Sequence, residues 1–141
     1  MIRQKLNIDK YGWVVHCYYA VDGYYVDEIA KKMVSLGCRG QMLENAIMNM
    51  ASHRLNTGLT FSNMMRHESI LVVALTTSAA QFDNSLSHET DHLAKQICEG
   101  VGISLVSEEA SYLVGDTRQA MYPYVKELLC DHCRMLACDG T

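Results

Sequence analysis

The chain is expected to form one α+β domain over residues 1–141, with a small mixed or antiparallel sheet covered on one side by helices. Three observations predict this fold class. Two stretches rich in β-branched and aromatic residues, 13–21 and 69–77, are typical of strands. Most of the remaining chain repeats apolar residues with a helical period. The length of 141 residues and the 49 % hydrophobic content fit a single domain with an apolar core.

The first half of the chain predicts one strand followed by two helices. The strand 13–21 ends at an Asp-Gly pair, which is a turn signal. Over residues 26–36 the apolar side chains form a helical stripe, and Gly37 stands where a helix commonly ends. Residues 41–55 repeat the helical pattern after a second glycine.

The middle of the chain predicts a hairpin and then a long helix. Residues 59–62 form a short extended piece, and residues 69–77 contain an apolar run long enough for a buried strand. The two segments are expected to pair as a hairpin. A helix should follow over residues 85–99, with Asp83 or Asn84 as its N-cap and glycines at its end.

The last third of the chain predicts two further helices. Ser107 is a good N-cap for a helix that continues to about residue 114. More helical sequence follows after Asp116, is interrupted or kinked by Pro123, and ends near Cys133. The predicted order of elements is therefore β-α-α-β-β-α-α-α.

The predicted helix 85–99 carries the sequence His-Glu-Thr-Asp-His at residues 88–92, which matches the pattern HExxH. Histidines four positions apart project from the same side of a helix, so both imidazoles of His88 and His92 can reach one Zn²⁺. On a helical wheel these histidines and Glu89 lie on or beside the polar face. Asp91 points away from Glu89 and is expected to be solvated.

A catalytic zinc site commonly has three protein ligands and one water, so a third ligand is needed. The helix that begins after Ser107 offers Glu108 and Glu109. Acidic residues in a first helical turn also complement the helix dipole without any other role. We favour Glu108 over Glu109, because the small Ser111 three positions later lets two helices approach closely.

The order of a strand, an HExxH helix, a short connection and an acidic helix start resembles the gluzincin branch of zinc metallopeptidases. Residues 87–113 resemble more closely the short metallopeptidases that bacteriophages and mobile elements encode, in which a glutamate is followed by two residues, a small residue and then a Tyr-Leu pair. Here the small residue is Ser111, and Tyr112 and Leu113 follow it. By position, the resemblance implies that Glu108 is the third zinc ligand.

Two functions follow as hypotheses. The first is a zinc-dependent peptidase or amide hydrolase that acts on a peptide or protein, with His88, His92 and Glu108 as ligands and Glu89 as general base. The strand 69–77 is the candidate edge that would hold an extended peptide. The second is a zinc-binding protein without catalysis, with a structural or partner-binding role.

Composition limits the other classes of function. The net charge of −4 argues against a nucleic-acid surface, because phosphate binding needs clustered lysine and arginine. No apolar run approaches the ~18 residues of a membrane span, and the N-terminus has no signal-peptide layout, so a cytoplasmic protein is expected. The six cysteines are then expected to be reduced. Cys130, Cys133 and Cys138 are either half of a second zinc site or free thiols on a C-terminal helix.

Overall fold

The computed structural model of the chain describes residues 1–52 and 58–134 and has the α+β architecture that the sequence predicts. In chain order its strands and helices are β1 (Ile2–Ile8), β2 (Trp13–Val21), α1 (Val26–Ser35), α2 (Gly40–Ala51), β3 (Gly58–Asn63), β4 (Glu68–Ala74), α3 (Ala79–Val101) and α4 (Glu108–Val125). The four strands form one mixed sheet, against which the helices pack.

The strands lie in the order β1-β2-β4-β3. Strands β1 and β2 are antiparallel, β2 and β4 are parallel, and β3 and β4 form the antiparallel hairpin that the sequence predicts. The prediction that residues 69–77 form an edge strand was wrong. Helices α1 and α2 connect β2 to the hairpin and allow β4 to pair in parallel with β2, so that β1 and β3 are the edges.

Helices cover both faces of the sheet, not one as predicted. Along β4, Leu71 and Val73 contribute to the core beneath α3 and α4, whereas Ile70 and Val72 contribute to the core beneath α1 and α2. All four side chains are fully buried. The continuous apolar run in this segment is typical of a strand buried on both faces, and it accounts for the second helical layer.

Strand β1 was not predicted from the sequence. Its side chains alternate between the core and solvent, but a polar residue, Gln4, occupies one of the inward positions. Gln4 accepts a hydrogen bond from the hydroxyl of Tyr19 at 2.7 Å and donates one to the carbonyl of Ala120 at 3.0 Å. A buried amide is tolerated in a core when both its oxygen and its nitrogen are hydrogen-bonded. The strand therefore forms although its hydropathy pattern alone predicts it only weakly.

The helix that carries the HExxH motif is longer than predicted. It begins at Ala79, and its N-cap is Ser78, whose hydroxyl accepts a hydrogen bond from the backbone of Gln81 at 3.2 Å. Asp83 and Asn84, the predicted caps, therefore lie inside the helix. The apolar stripe starts with Phe82, which is fully buried, and this explains the longer helix.

Helix α4 is one continuous helix, so the predicted break between residues 114 and 116 does not occur. Ser107 is its N-cap, as predicted, and accepts a hydrogen bond from the backbone N–H of Ala110 at 3.1 Å. Pro123 lies in its last turn, and a 3-10 turn, Lys126–Leu129, follows.

Helix α2 ends at Ala51, and the predicted continuation to residue 55 falls partly on residues 53–57, which lie outside the described residues. Cys138 also lies outside them. Within the described ranges, no helix combines the length and the apolar character needed to cross a membrane.

Candidate metal centre

His88, Glu89 and His92 lie together near the middle of α3. Their metal-binding atoms, one from each side chain, are all within 4.8 Å of one another. The imidazole rings of His88 and His92 have centroids 4.4 Å apart, and both residues are exposed. The structure thus confirms that the motif lies on a helix with both imidazoles on one side, where they could hold a metal ion.

Glu89 is buried, with only 1 % of its surface exposed, and does not lie on a solvated face as the helical wheel suggested. The reason is that strand β3 packs across this side of α3. The hydroxyl of Thr60 in β3 donates a hydrogen bond to Oε1 of Glu89 at 3.0 Å. The same oxygen lies 3.5 Å from Nδ1 of His92. The carboxylate is therefore held at the inner wall of the site while the two imidazoles stand at the surface.

Gly58, the first residue of β3, allows this close packing. Its φ of +153° is in a region that residues with a side chain rarely adopt. A Cβ atom at this position would lie 1.8 Å from the carbonyl oxygen of Val72 and 3.1 Å from Cγ of Glu89. A larger residue would therefore push β3 away from both β4 and the carboxylate.

Three further polar side chains fix α3 against β3. The amide of Gln96 donates a hydrogen bond to the carbonyl of Thr60 at 3.1 Å and accepts one from the hydroxyl of Ser62. Ser62 also forms a hydrogen bond of 2.6 Å with Ser69 in β4. This network of hydrogen bonds was not predicted from the sequence. The alternation of polar Thr60 and Ser62 with apolar residues in β3 could have predicted it, because alternate residues of a strand point to the same face.

Asp91 has the opposite environment to Glu89. Its side chain is 55 % exposed and forms an ion pair of 2.9 Å with Lys95, one helical turn later. The prediction that Asp91 points away from Glu89 into solvent is confirmed.

Glu108 and Glu109 both lie in the first turn of α4, but neither belongs to the group formed by the two histidines and Glu89. Glu108 is exposed. Glu109 accepts a hydrogen bond of 2.7 Å from the hydroxyl of Tyr11 and lies 3.2 Å from the ammonium group of Lys10. These two partners, the tyrosine first, lower the pKa of the Glu109 carboxyl. A third ligand from α4 stays a prediction.

The packing of α4 explains where its acidic first turn lies. The chain does turn back after α3, but α4 packs against the side of α3 that carries Ser87. Arg118 of α4 donates a hydrogen bond to the hydroxyl of Ser87 at 2.9 Å and pairs with Asp83 at 3.1 Å. Residues two positions apart project about 200° apart around a helix, so Ser87 and Glu89 face nearly opposite directions. Helix α4 and strand β3 therefore contact different sides of the motif.

Comparisons of the chain with family models, with curated proteins and with solved structures found no match. The resemblance to metallopeptidases consequently depends on the residues of the motif and on the placement of the following glutamates. What the structure adds to that resemblance is a compact group of two imidazoles and one carboxylate on a helix.

Proposed function

We propose that the chain is a zinc-dependent hydrolase of peptide or amide bonds, in which His88 and His92 bind the metal and Glu89 is the general base. One observation carries this proposal. A buried carboxylate, fixed by Thr60, lies directly beside two exposed imidazoles on the same helix. A carboxylate held in a fixed position next to an accessible metal can take a proton from a water at that metal, as hydrolysis of an amide requires.

The donor set fits zinc. Imidazole nitrogens bind Zn²⁺ at about 2.0–2.1 Å, so two atoms bound to one tetrahedral ion lie roughly 3.4 Å from each other. The ligand atoms of the group lie within 4.8 Å of one another, which is farther apart than two atoms bound to one zinc ion. Rotation of the side chains can close this difference. Two exposed histidines can rotate in this way without disturbing the core, because their rings are not packed within it.

The chemistry divides between the metal and the chain. When bound, zinc supplies a Lewis acid that polarises the carbonyl of the substrate and makes water more acidic. Glu89 accepts the proton of the attacking water and then delivers it to the leaving amine. The hydrogen bond from Thr60 restricts rotation of the carboxylate and keeps it directed toward His92.

Glu108 retains its place as the proposed third ligand, although this assignment requires its side chain to approach the imidazoles from the α4 side. The exposed position of Glu108 leaves its side chain free to move, whereas Glu109 is engaged by Tyr11 and Lys10. This difference supports the choice of Glu108 over Glu109. Loss of one zinc ligand should lower the affinity, so Glu108→Gln should weaken zinc binding and Glu109→Gln should leave it unchanged.

A second candidate is a zinc-binding protein without catalysis. It is favoured by the presence of Glu89 itself within the group of potential ligands, because a carboxylate that binds the metal directly cannot also serve as the base. In that case Glu89 would complete a three-residue site with His88 and His92.

The substitution Glu89→Gln distinguishes the two candidates, with Asp91→Asn as the matched control. Both changes replace a carboxylate by an amide within the same motif, but Asp91 is solvated and lies outside the group. The proposal predicts that Glu89→Gln keeps its zinc in elemental analysis and loses hydrolysis of an unstructured protein such as casein by a factor of about 10²–10⁴. Asp91→Asn should retain both.

Two results would contradict the hydrolase. Loss of zinc in Glu89→Gln would identify Glu89 as a ligand and favour the second candidate. Zinc-loaded wild-type protein that leaves a broad peptide library uncleaved would also favour it.

A further inference from the structure

Cys130 lies just before, and Cys133 within, a short helical turn of residues 131–134, remote from the metal centre. Among the described cysteines, Cys17, Cys38 and Cys98 are buried, whereas Cys130 is exposed and Cys133 is half-buried. The backbone N–H of Cys133 donates a hydrogen bond to Sγ of Cys130 at 3.5 Å. The sulfur of Cys130 is therefore exposed and lies directly beside Cys133.

The spacing of two cysteines with two residues between them suits reversible disulfide formation. Cys130 has an extended backbone just before the turn, and its Sγ lies beside the backbone N–H of Cys133; a disulfide needs Cβ atoms roughly 4 Å apart. A small movement of the turn would close the bond. The same spacing occurs where one thiol is activated by the backbone at the start of a turn.

The two thiols differ in reactivity. The hydrogen bonds that Sγ of Cys130 accepts, first from the backbone N–H of Cys133 and then from its thiol, lower the pKa of Cys130. The pKa of Cys133 is raised, chiefly by the hydrogen bond that it donates to Cys130. Cys130 is therefore the attacking thiol, because the thiolate is the nucleophile in disulfide exchange.

The turn is anchored to the beginning of α3, which keeps it in one place. Asp131, between the two cysteines, accepts a hydrogen bond from the backbone N–H of Ala79 at 2.8 Å. Arg134 donates one to the carbonyl of Thr76 at 2.5 Å. Ala79 precedes His88 by nine positions, which is about 13 Å along a helix, so this site is separate from the metal centre.

We propose that Cys130 and Cys133 form a redox-active dithiol that exchanges with low-molecular-weight disulfides of the glutathione class. The Cys130 thiolate attacks one sulfur of oxidised glutathione, the S–S bond breaks, and one glutathione thiolate leaves. Cys133 then loses its proton to solvent, attacks the Cys130 sulfur of the mixed disulfide and displaces the second glutathione. Two protein thiols are oxidised to one disulfide while one glutathione disulfide is reduced to two thiols.

Tryptic digestion provides a direct test on the full chain. Cleavage after Lys126 and Arg134 releases the fragment 127–134, which contains Cys130 and Cys133 and no other cysteine. The folded protein is incubated with oxidised glutathione at neutral pH, quenched with acid, alkylated, digested and analysed by mass spectrometry. The fragment is expected to be lighter by two hydrogens and to carry no alkyl group. Buried Cys98 serves as an internal control that should remain reduced.

Two variants test the order of the steps. In Cys133→Ser the reaction should stop at a glutathione attached to Cys130, because the second thiol is missing. In Cys130→Ser attachment of glutathione to the remaining thiol should be roughly fivefold slower or more. Both residues are at the surface, so neither variant is expected to unfold.

Four outcomes would overturn the proposal. The fragment 127–134 could keep both thiols under excess oxidised glutathione, or carry two separate glutathiones, and either result would show that the pair does not close. Faster modification of Cys133 than of Cys130 would reverse the assigned roles. A zinc ion that protects both thiols until a chelator is added would identify them as metal ligands instead.

Discussion

Removal of either imidazole should abolish the stabilisation of the protein by zinc. His88 and His92 are exposed, and the side chain of His92 is 46 % exposed although it lies near Glu89. Substitutions at such positions change the free energy of unfolding by no more than about 0.5 kcal/mol. His88→Ala should therefore match the metal-free wild type in stability, whereas His92→Ala also removes the ring that lies 3.5 Å from the Glu89 carboxylate, so its gain with zinc is measured against its own metal-free state.

The size of the zinc effect follows from linkage. A ligand that binds only the folded state at 100 times its Kd stabilises that state by about 2.7 kcal/mol. For a domain between 100 and 150 residues, each kcal/mol raises Tm by roughly 3–4 °C. The wild type should gain about 8–11 °C, and each alanine variant should gain less than about 2 °C.

The assay is thermal unfolding followed by circular dichroism, on chelator-treated protein with and without excess zinc. It should be carried out in a Cys130→Ser background, so that zinc cannot bind to the dithiol. Asp91→Asn serves as the control variant and should retain the full gain in Tm. An equal gain in His88→Ala and wild type, or no gain in wild type, would refute the assignment of the metal centre.

Three other predictions concern the surroundings of the site. Thr60→Val removes the hydrogen bond to Glu89 and should lower the free energy of unfolding in urea by about 1–2 kcal/mol. Gly100→Ala should lower it by about 1–3 kcal/mol, because the added Cβ would lie 2.6 Å from the ring of Trp13. Burial lowers the pKa of His16 despite a neighbouring carboxylate, so the unfolded state binds the proton first as the pH falls below about 6.5. The stability that depends on neutral His16 is thus present above that pH and is lost below it. In urea titrations, His16→Gln should therefore lose less stability than the wild type does between pH 7 and pH 5.

Each of these predictions has a control or a contrary outcome. Thr60→Ser keeps the hydroxyl and should remain close to wild type. Gly115→Ala, in α4, places its Cβ where no atom lies within 4 Å, so it should stabilise the helix by about 0.5–1 kcal/mol. If Gly100→Ala stabilised the protein as much as Gly115→Ala, that result would contradict the close contact between the ring of Trp13 and Gly100 of α3. Equal losses of stability at acid pH in wild type and His16→Gln would contradict the role of His16.

Local periodicity was sufficient to predict the elements whose burial is regular along the chain. The β3–β4 hairpin, helix α1 and the position of the motif on a helix are all visible as apolar patterns. Strand β1 was missed because its inward Gln4 is paired with Tyr19 and Ala120, which are distant in sequence. The partner that makes a polar residue acceptable inside a protein is set by tertiary contacts, and a hydropathy pattern does not contain them.

The same limit applies to the metal centre. A helical wheel shows the direction of each side chain of α3 but not which element covers it. Glu89 is covered by Thr60, 29 positions earlier in the chain, whereas the acidic first turn of α4 follows a helix that packs on the side of Ser87. The ligand pair was therefore predictable from spacing, but the surroundings of the base and the place of Glu108 depended on long-range packing.

Glu89 and Asp91, the two carboxylates of the motif, have contrasting environments. Asp91 lies in solvent beside Lys95, where a carboxylate costs little and contributes little. Glu89 is buried, and burial of a carboxylate is unfavourable unless hydrogen bonds and charges compensate for it. The hydroxyl of Thr60 and the imidazole of His92 lie beside the buried carboxylate, and two accessible imidazoles stand next to it, an arrangement that can bind a metal ion.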